Sequence, residues 1–319
     1  MLSSLRGVLA LLLLVLNTLV WTLPLFAGAL LKLLLPWEAF HRRLDPLLNR
    51  LANGWVACNA LWITAPAGWD VRGDTRLDPD GWYLVNCNHQ SWVDIFVLQH
   101  VLRGRIPMLK FFLKQELIYV PVIGLAWWAL GFPFMRRHGK EALRRRPELR
   151  QQDQEATLRA CRRFSLVPTS VMNFAEGTRF TAAKHQSQGS PYRHLLKPRA
   201  GAMALTLNAM GDRFHAMVDA TIVYPDGIPS FWDFLCGRAR RIALHVREVQ
   251  IPEGFATADY AKDPGFRRAF TRWLTEMWQE KDRQFDELLH ACGAAASSGQ
   301  SVQGQVQLRG EPVEVLPRA

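Results

Sequence analysis

The chain is poor in thiols, short of acids and free of repeats. Five cysteines (Cys58, Cys87, Cys161, Cys236, Cys292) are scattered through 319 residues, odd in number and never in CxxC spacing. That pattern excludes a disulfide framework and a cysteine zinc site, and a reducing compartment is the plain reading. No internal repeat is present, which sets aside repeat architectures. Acidic residues number 28 against 39 lysines and arginines, leaving a net charge of +11. Such an imbalance suits an anionic partner: phospholipid headgroups, a phosphorylated substrate or nucleic acid. Nucleic acid is disfavoured, because no recognition motif accompanies the charge.

Charge is missing altogether from residues 7–31, "GVLALLLLVLNTLVWTLPLFAGALL". As a helix this stretch reaches roughly 37 Å, enough to cross a hydrocarbon core of about 30 Å. It is too long for the apolar region of a signal peptide. Pro24 leaves open a re-entrant hairpin of two short helices. Only Arg6 precedes the stretch, whereas Lys32, Arg42, Arg43 and Arg50 follow it. The bias of positive charge places the downstream body on the cytoplasmic side. Residues 1–50 are read as a membrane anchor.

A second apolar run, 117–135, carries Pro121, Gly124, Gly131 and Pro133. A span here would put His89 and Glu176 on opposite sides of a membrane. If both serve one site, the run is buried in the protein or lies at the interface.

What is present between these landmarks alternates. Strand patterns at 82–87, 106–110, 169–174, 216–224 and 241–249 are separated by helical patterns at about 92–102 and 147–163. Alternation predicts an α/β domain, extending over residues 51–291, with ligands at the carboxyl ends of strands. Phe266, Phe270, Trp273, Leu274, Met277, Phe285 and Leu288 fall mostly on one helical face, as in a packed amphipathic helix. Residues 292–319 are small, polar and aperiodic, and are read as a flexible tail.

Two motifs carry chemistry. In "NCNHQSWVD" (86–94), His89 follows a strand and Asp94 falls in the first turn of the next helix. With Ser91 as N-cap, Asp94 would point back toward His89. The carboxylate can then hold one imidazole nitrogen while the other takes a proton, the wiring of a general base. A capping box beside a hydrogen-bonded histidine is the alternative. Cys87 offers a further one, a thiol nucleophile activated by His89, weighed against a core cysteine. In "NFAEGTRF" (173–180), a glycine after Glu176 lets backbone approach a ligand, and Arg179 supplies a fork suited to phosphate. By itself that segment is equally a turn.

Together, in this order and spacing, the motifs resemble the lysophospholipid acyltransferase family, which includes 1-acylglycerol-3-phosphate acyltransferases. Asn88, His89 and Asp94 match its first motif; Phe174, Glu176, Gly177, Thr178 and Arg179 match its third, with Ala175 in place of the usual proline. "FPFMRR" resembles the second motif, with Arg137 as its arginine and Arg136 where many members carry an acid. "KPRAGA" (197–202) and "TIVYPDG" (221–227) resemble the later basic and hydrophobic segments. The likeness covers about residues 80–230 and extends to a bacterial inner-membrane branch similar to lysocardiolipin-type enzymes.

The resemblance implies a glycerolipid acyltransferase-type α/β domain, its central mixed sheet flanked by helices and preceded by a hydrophobic anchoring helix or helical hairpin. It implies transfer of a fatty acyl group from acyl-CoA or acyl carrier protein, as co-substrate, to the free hydroxyl of a lysophospholipid. No metal and no bound cofactor is required. His89 would be the base and Asp94 its partner, with Asn88 and Ser91 supporting the motif. Glu176, Gly177, Thr178, Arg179 and Arg137 would bind the acceptor. Lys110, Lys114, Lys197 and Arg199 are either attractors of anionic substrates or solvated charges. Apolar residues of 117–134 line an acyl groove, meet lipid or pack as core. The implied location is a bacterial inner membrane, with the site facing the cytoplasm.

Overall fold

The computed structural model describes residues 2–35, 37–63, 68–73, 76–135, 145–146, 148–164, 166–258, 260, 262–297 and 306–308. Arg136 and Arg137 lie outside these residues.

The chain opens with two long helices, α1 (Leu2–Leu34) and α2 (Glu38–Ile63). They form an antiparallel hairpin: Asn17 donates to the carbonyl of Trp55 and to Asn59, Trp21 lies on Gly54, and Gly28 receives Leu48. Small residues let the two backbones approach closely, and the Asn17–Asn59 amide pair bridges them, although Asn59 Nδ2 has no partner among the described residues. Helix α1 is continuous through Pro24, so of the two readings left open the unbroken helix is the one formed, and the return arm is α2. The expected anchor boundary at residue 50 falls inside α2.

Helix α1 is 33 residues long, roughly 50 Å at about 1.5 Å per residue. It is long and apolar enough to cross a membrane. Its two ends, however, both rest on the downstream body. Gly7 packs on Trp232 and Cys236, while Lys32 donates to the carbonyl of Ala129 and pairs with Asp45. The opposite face, including Leu9, Leu12, Leu16, Leu23 and Leu33, is exposed.

The body is a seven-stranded mixed sheet with helices on both faces. Its strands are β1 (Gly68–Gly73), β2 (Tyr83–Cys87), β3 (Leu109–Phe111), β6 (Ser170–Asn173), β7 (Ala216–Val223), β8 (Arg241–Val249) and β9 (Val306–Leu308). A separate pair joins β4 (Leu113–Lys114) to β5 (Phe134–Met135). The order in the large sheet is β3-β6-β2-β7-β8-β1-β9. Strands β3, β6, β2 and β7 run parallel, and β8 is antiparallel to β7. Every residue of β2 and β7 is buried, as expected of strands covered on both faces.

One face packs under α3 (Val93–Leu102) and a short helix further along the chain, α8 (Phe231–Leu235), around Val85, Val97, Val218, Ile222 and Leu244. The other packs under α5 (Glu148–Phe164), α7 (Ala200–Met210) and α9 (Pro264–Ser297), around Leu84, Val171, Met217, Phe270 and Trp278. Helix α9 buries the predicted stripe from Phe266 to Leu288. It continues past Cys292 to Ser297, and Val306–Leu308 pairs with β1, so part of the expected tail is regular structure.

The run 117–135 forms a 3₁₀ turn (Gln115–Tyr119), helix α4 (Ile123–Ala129) and β5. With seven residues, α4 is too short to cross a bilayer. It lies against the hairpin, burying Ala126, Leu130 and Phe132 with Leu25, Leu48 and Ala52. The predicted strand at 106–110 begins later, at Leu109, because Pro107 lacks the N–H that a ladder needs.

Candidate active site

The parallel order sets β2 between β6 and β7, so their carboxyl ends meet. His89 follows β2, Glu176 follows β6 and Tyr224 follows β7. The Asn88 side chain fixes this junction: its amide donates to the carbonyl of Ile222 at 2.9 Å and accepts from the Ile222 N–H at 2.9 Å. It thereby continues the β2–β7 ladder beyond the last main-chain pair.

His89 Nδ1 lies 2.8 Å from Asp94 Oδ2. The same oxygen accepts from the N–H groups of Gln90 at 2.7 Å and Ser91 at 2.9 Å. The other oxygen, Oδ1, accepts from the Tyr224 hydroxyl at 2.6 Å. Asp94 is fully buried, yet four donors surround it, and a buried carboxylate so surrounded remains the acceptor. Nδ1–H is therefore the donor, and Nε2 is left with a lone pair. The ring stacks on Phe174 at 3.9 Å and is only partly exposed, 15%. This arrangement can take a proton from a group presented to Nε2 and hold the resulting imidazolium.

Asp94 points back toward the helix start as anticipated, and Ser91 caps that start: its hydroxyl accepts from the Val93 N–H at 3.3 Å and its own N–H donates to Asp94 at 2.9 Å. The helix begins at Val93 with Trp92 ahead of it, and the Ser91 hydroxyl donates to the carbonyl of Pro229 at 2.6 Å. Ser91 thus ties the first motif to the loop after β7.

Cys87 is fully buried, and burial pushes its thiol well above the ordinary range. The thiol faces Asn88 Oδ1 at 3.6 Å. That environment suits a core cysteine, since a nucleophile needs the thiolate.

The third motif divides by direction. Glu176 is 1% exposed and turns inward, toward the backbone N–H groups of His89 and Leu196; burial raises its carboxyl well above the usual range. This is the position of a brace under the His89 loop, for a residue expected to help hold the acceptor. Gly177 turns the chain at φ 68°, with the Arg199 side chain against it. Its N–H donates to the Phe174 carbonyl at 2.8 Å, closing the turn with Ala175 where a proline was expected. Arg179 is exposed and lies over the Trp92 ring at 5.0 Å. Thr178 accepts from Lys184 at 2.8 Å, and the same ammonium reaches the Arg179 carbonyl at 2.9 Å. Arg179, Lys184 and Arg199 therefore all meet the turn at 177–179, an arrangement of cations that can receive an anion.

Lys197 is exposed, its N–H donated to Gln188, and Lys114 is exposed on β4. Lys110 is instead buried, over Phe164 at 5.6 Å, and burial lowers its ammonium to about 8. From His89 an aromatic row, Phe174, Phe111 and Phe132, leads to the apolar cluster beneath the helical hairpin.

Residues 68–227, half of the chain, match the family described as Acyltransferase. The chain belongs to the acyltransferase family. The 1-acyl-sn-glycerol-3-phosphate acyltransferase delta of Bos taurus is 27% identical over 249 residues, covering 74% of this chain and 59% of its own. The gamma protein of Homo sapiens is 27% identical over 184 residues, covering 54% of this chain and 44% of its own. The chain spans about half the length of the curated relatives it matches. Among solved structures, the 1-acyl-sn-glycerophosphate (LPA) acyltransferase PlsC from Thermotoga maritima aligns over 90% of this chain and 97% of that one, with 16% identity and a TM-score of 0.49.

Among the residues around this site, sequence reasoning missed Tyr224, Trp92, Lys184 and Lys281. Lys281 is fully buried on α9, paired with Asp219 at 2.8 Å and donating to the Ala220 carbonyl at 2.6 Å. Nothing local marks it; its stripe of apolar neighbours reads as helix core. Tyr224 stood in a noted segment, but only strand order brings it to Asp94.

Proposed function

We propose that the protein is a membrane-associated O-acyltransferase that moves a fatty acyl group from a thioester, acyl-CoA or acyl-ACP, to the sn-2 hydroxyl of 1-acylglycerol-3-phosphate, giving phosphatidic acid. The observation that carries the reading is the His89–Asp94 pair with Nε2 open, beside a cationic turn, in a chain of the acyltransferase family.

A hydroxyl is a weak nucleophile at neutral pH and needs a positioned base. His89 Nε2 takes the hydroxyl proton as the oxygen attacks the thioester carbonyl. Asp94 holds the imidazolium. The tetrahedral adduct then collapses, the C–S bond breaks, and His89 returns the proton to the departing thiolate. Arg179, with Lys184 and Arg199, receives the acceptor's phosphate, and Glu176 braces the turn from behind. The aromatic row from Phe174 to Phe132 offers the acyl chain an apolar path toward the hairpin.

Helix α1 embeds along the membrane surface rather than crossing it. A crossing would carry the ends of the helix to opposite sides, yet both rest on one body. Its exposed leucines enter the cytoplasmic leaflet of the inner membrane, where a basic chain is also attracted to anionic lipid.

The test uses membranes containing wild type or His89→Ala, labelled acyl-CoA or acyl-ACP, and a panel of lysolipids. Phosphatidic acid formed by wild type and lowered at least about 100-fold in the variant is the expected result. Lysocardiolipin or lysophosphatidylglycerol as the preferred acceptor would replace the substrate assignment. Activity surviving His89→Ala would sink the mechanism.

A further inference from the structure

The end of β7 and the segment after it do more than close the sheet. They grip the first motif at three points: the Ile222 backbone holds both polar atoms of the Asn88 amide, the Pro229 carbonyl takes the Ser91 hydroxyl, and Tyr224 meets Asp94. Two of these contacts fix backbone position. The third touches the chemistry, because Asp94 is the group that holds His89.

The donors on Asp94 are distributed unevenly. Oδ2 carries the imidazole and two backbone N–H groups, whereas the one partner on Oδ1 among the described residues is the Tyr224 hydroxyl. Asp94 is fully buried and Tyr224 is 6% exposed, so water does not replace that bond readily. We propose that Tyr224 is a positioning residue for acyl transfer: its hydroxyl, donated to Asp94 Oδ1, sets the plane of the carboxylate and limits how strongly the carboxylate retains a proton on His89.

Tyr224, Asp94 and His89 form a chain of two hydrogen bonds. A carboxylate free on one side rotates about its Cβ–Cγ bond and turns Oδ2 out of the imidazole plane. It also concentrates its charge on the imidazole, which favours the protonated ring and removes the base at neutral pH. A phenol donor counters both effects. The phenol is held well above its ordinary range, first by burial and then by the Asp94 charge, so it stays a donor. Other titratable groups facing this cluster are Cys87 from β2 and Glu176 after β6; Lys281 from α9 faces both of these, and Asp219 from β7 faces Cys87. None of them is changed by removing one hydroxyl.

The inference rests on the general-base reading, and the experiment keeps the two apart. The kcat/KM for acyl transfer is measured against pH for wild type, Tyr224→Phe, a variant with 3-fluorotyrosine at position 224, and His89→Ala. Tyr224→Phe is expected to lower kcat/KM by about 3- to 30-fold and to move the acid limb upward by about 0.5–1 pH unit. The fluorinated phenol, a stronger donor, moves the limb downward. An unmoved limb in Tyr224→Phe, with or without a loss of rate, overturns the proposal, since a purely structural hydroxyl changes amplitude alone. Should Tyr224→Phe fail to fold, the fluorotyrosine variant decides by whether its limb moves. If His89→Ala is inactive and the limbs coincide, the Tyr224 inference alone falls. If His89→Ala is active, the base reading falls with it.

Discussion

Asp94 accepts hydrogen bonds from four donors, and its replacement by asparagine or by alanine should separate chemistry from stability. Three donors converge on Oδ2, so an asparagine at 94 places its carbonyl there. Its NH₂ then faces Tyr224, whose hydroxyl rotates to accept. The local structure survives, and Asp94→Asn should unfold within about 1–2 kcal/mol of wild type, because weaker neutral bonds are offset by relief from burying a charge. The reaction does not survive. An imidazolium about 4 Å from the lost charge forfeits on the order of 4 kcal/mol at an effective dielectric near 20, a rate loss of about a thousandfold. Asp94→Ala removes the acceptor as well. The N–H groups of Gln90 and Ser91 and the Tyr224 hydroxyl are then stranded in a buried site, at about 1–3 kcal/mol each. A loss of at least about 3 kcal/mol is expected, a large part of the ~5–15 kcal/mol that holds a domain together. Denaturant unfolding in detergent and labelled acyl transfer measure the two quantities on the same preparations. Asp94→Asn with activity within about tenfold of wild type, or Asp94→Ala as stable as wild type, would refute the reasoning.

Two other residues give independent tests. Cys87→Ser should retain activity within about threefold, with no acyl adduct on the intact protein by mass spectrometry, because a thiol raised by burial supplies no thiolate; a loss as deep as that of His89→Ala, or a trapped adduct, would restore the nucleophile reading. Lys110 has an ammonium lowered from 10.5 to about 8 by burial. Between those values the unfolded chain holds a proton that the folded chain has lost, so this group makes stability rise with pH across the window, by up to about 3 kcal/mol. Lys110→Met should abolish that rise and be the more stable protein at pH 7, as read from urea unfolding at pH 7 and 10; equal pH slopes in the two proteins would contradict the assignment.

The legible parts of the sequence are those where one segment decides its own structure. Tyr83–Cys87 is apolar enough for a strand buried on both faces, and the stripe from Phe266 to Leu288 has helical period, so both elements were readable. The His89–Asp94 geometry was readable too, because it spans a single strand-to-helix turn. Pro24 left two readings open: a proline usually interrupts a helix, but packing of α1 against α2 and the body holds it continuous. Glu176 was legible in part. Its motif shows a charged residue beside a turn, and burial under the His89 loop became visible only with β6 set next to β2.

By itself the sequence determined the α/β class, the apolar N-terminal helix, the His–Asp pair and the acyltransferase motifs, because each is written in residues a few positions apart and enforced by local sterics, periodicity or one hydrogen bond. Tertiary structure alone decided the rest. It laid both ends of α1 on the body, turned Glu176 inward and Arg179 outward, and brought Tyr224 to Asp94 across 130 residues of chain. Those placements depend on strand order and on which faces exclude water, and neither is encoded in any one segment.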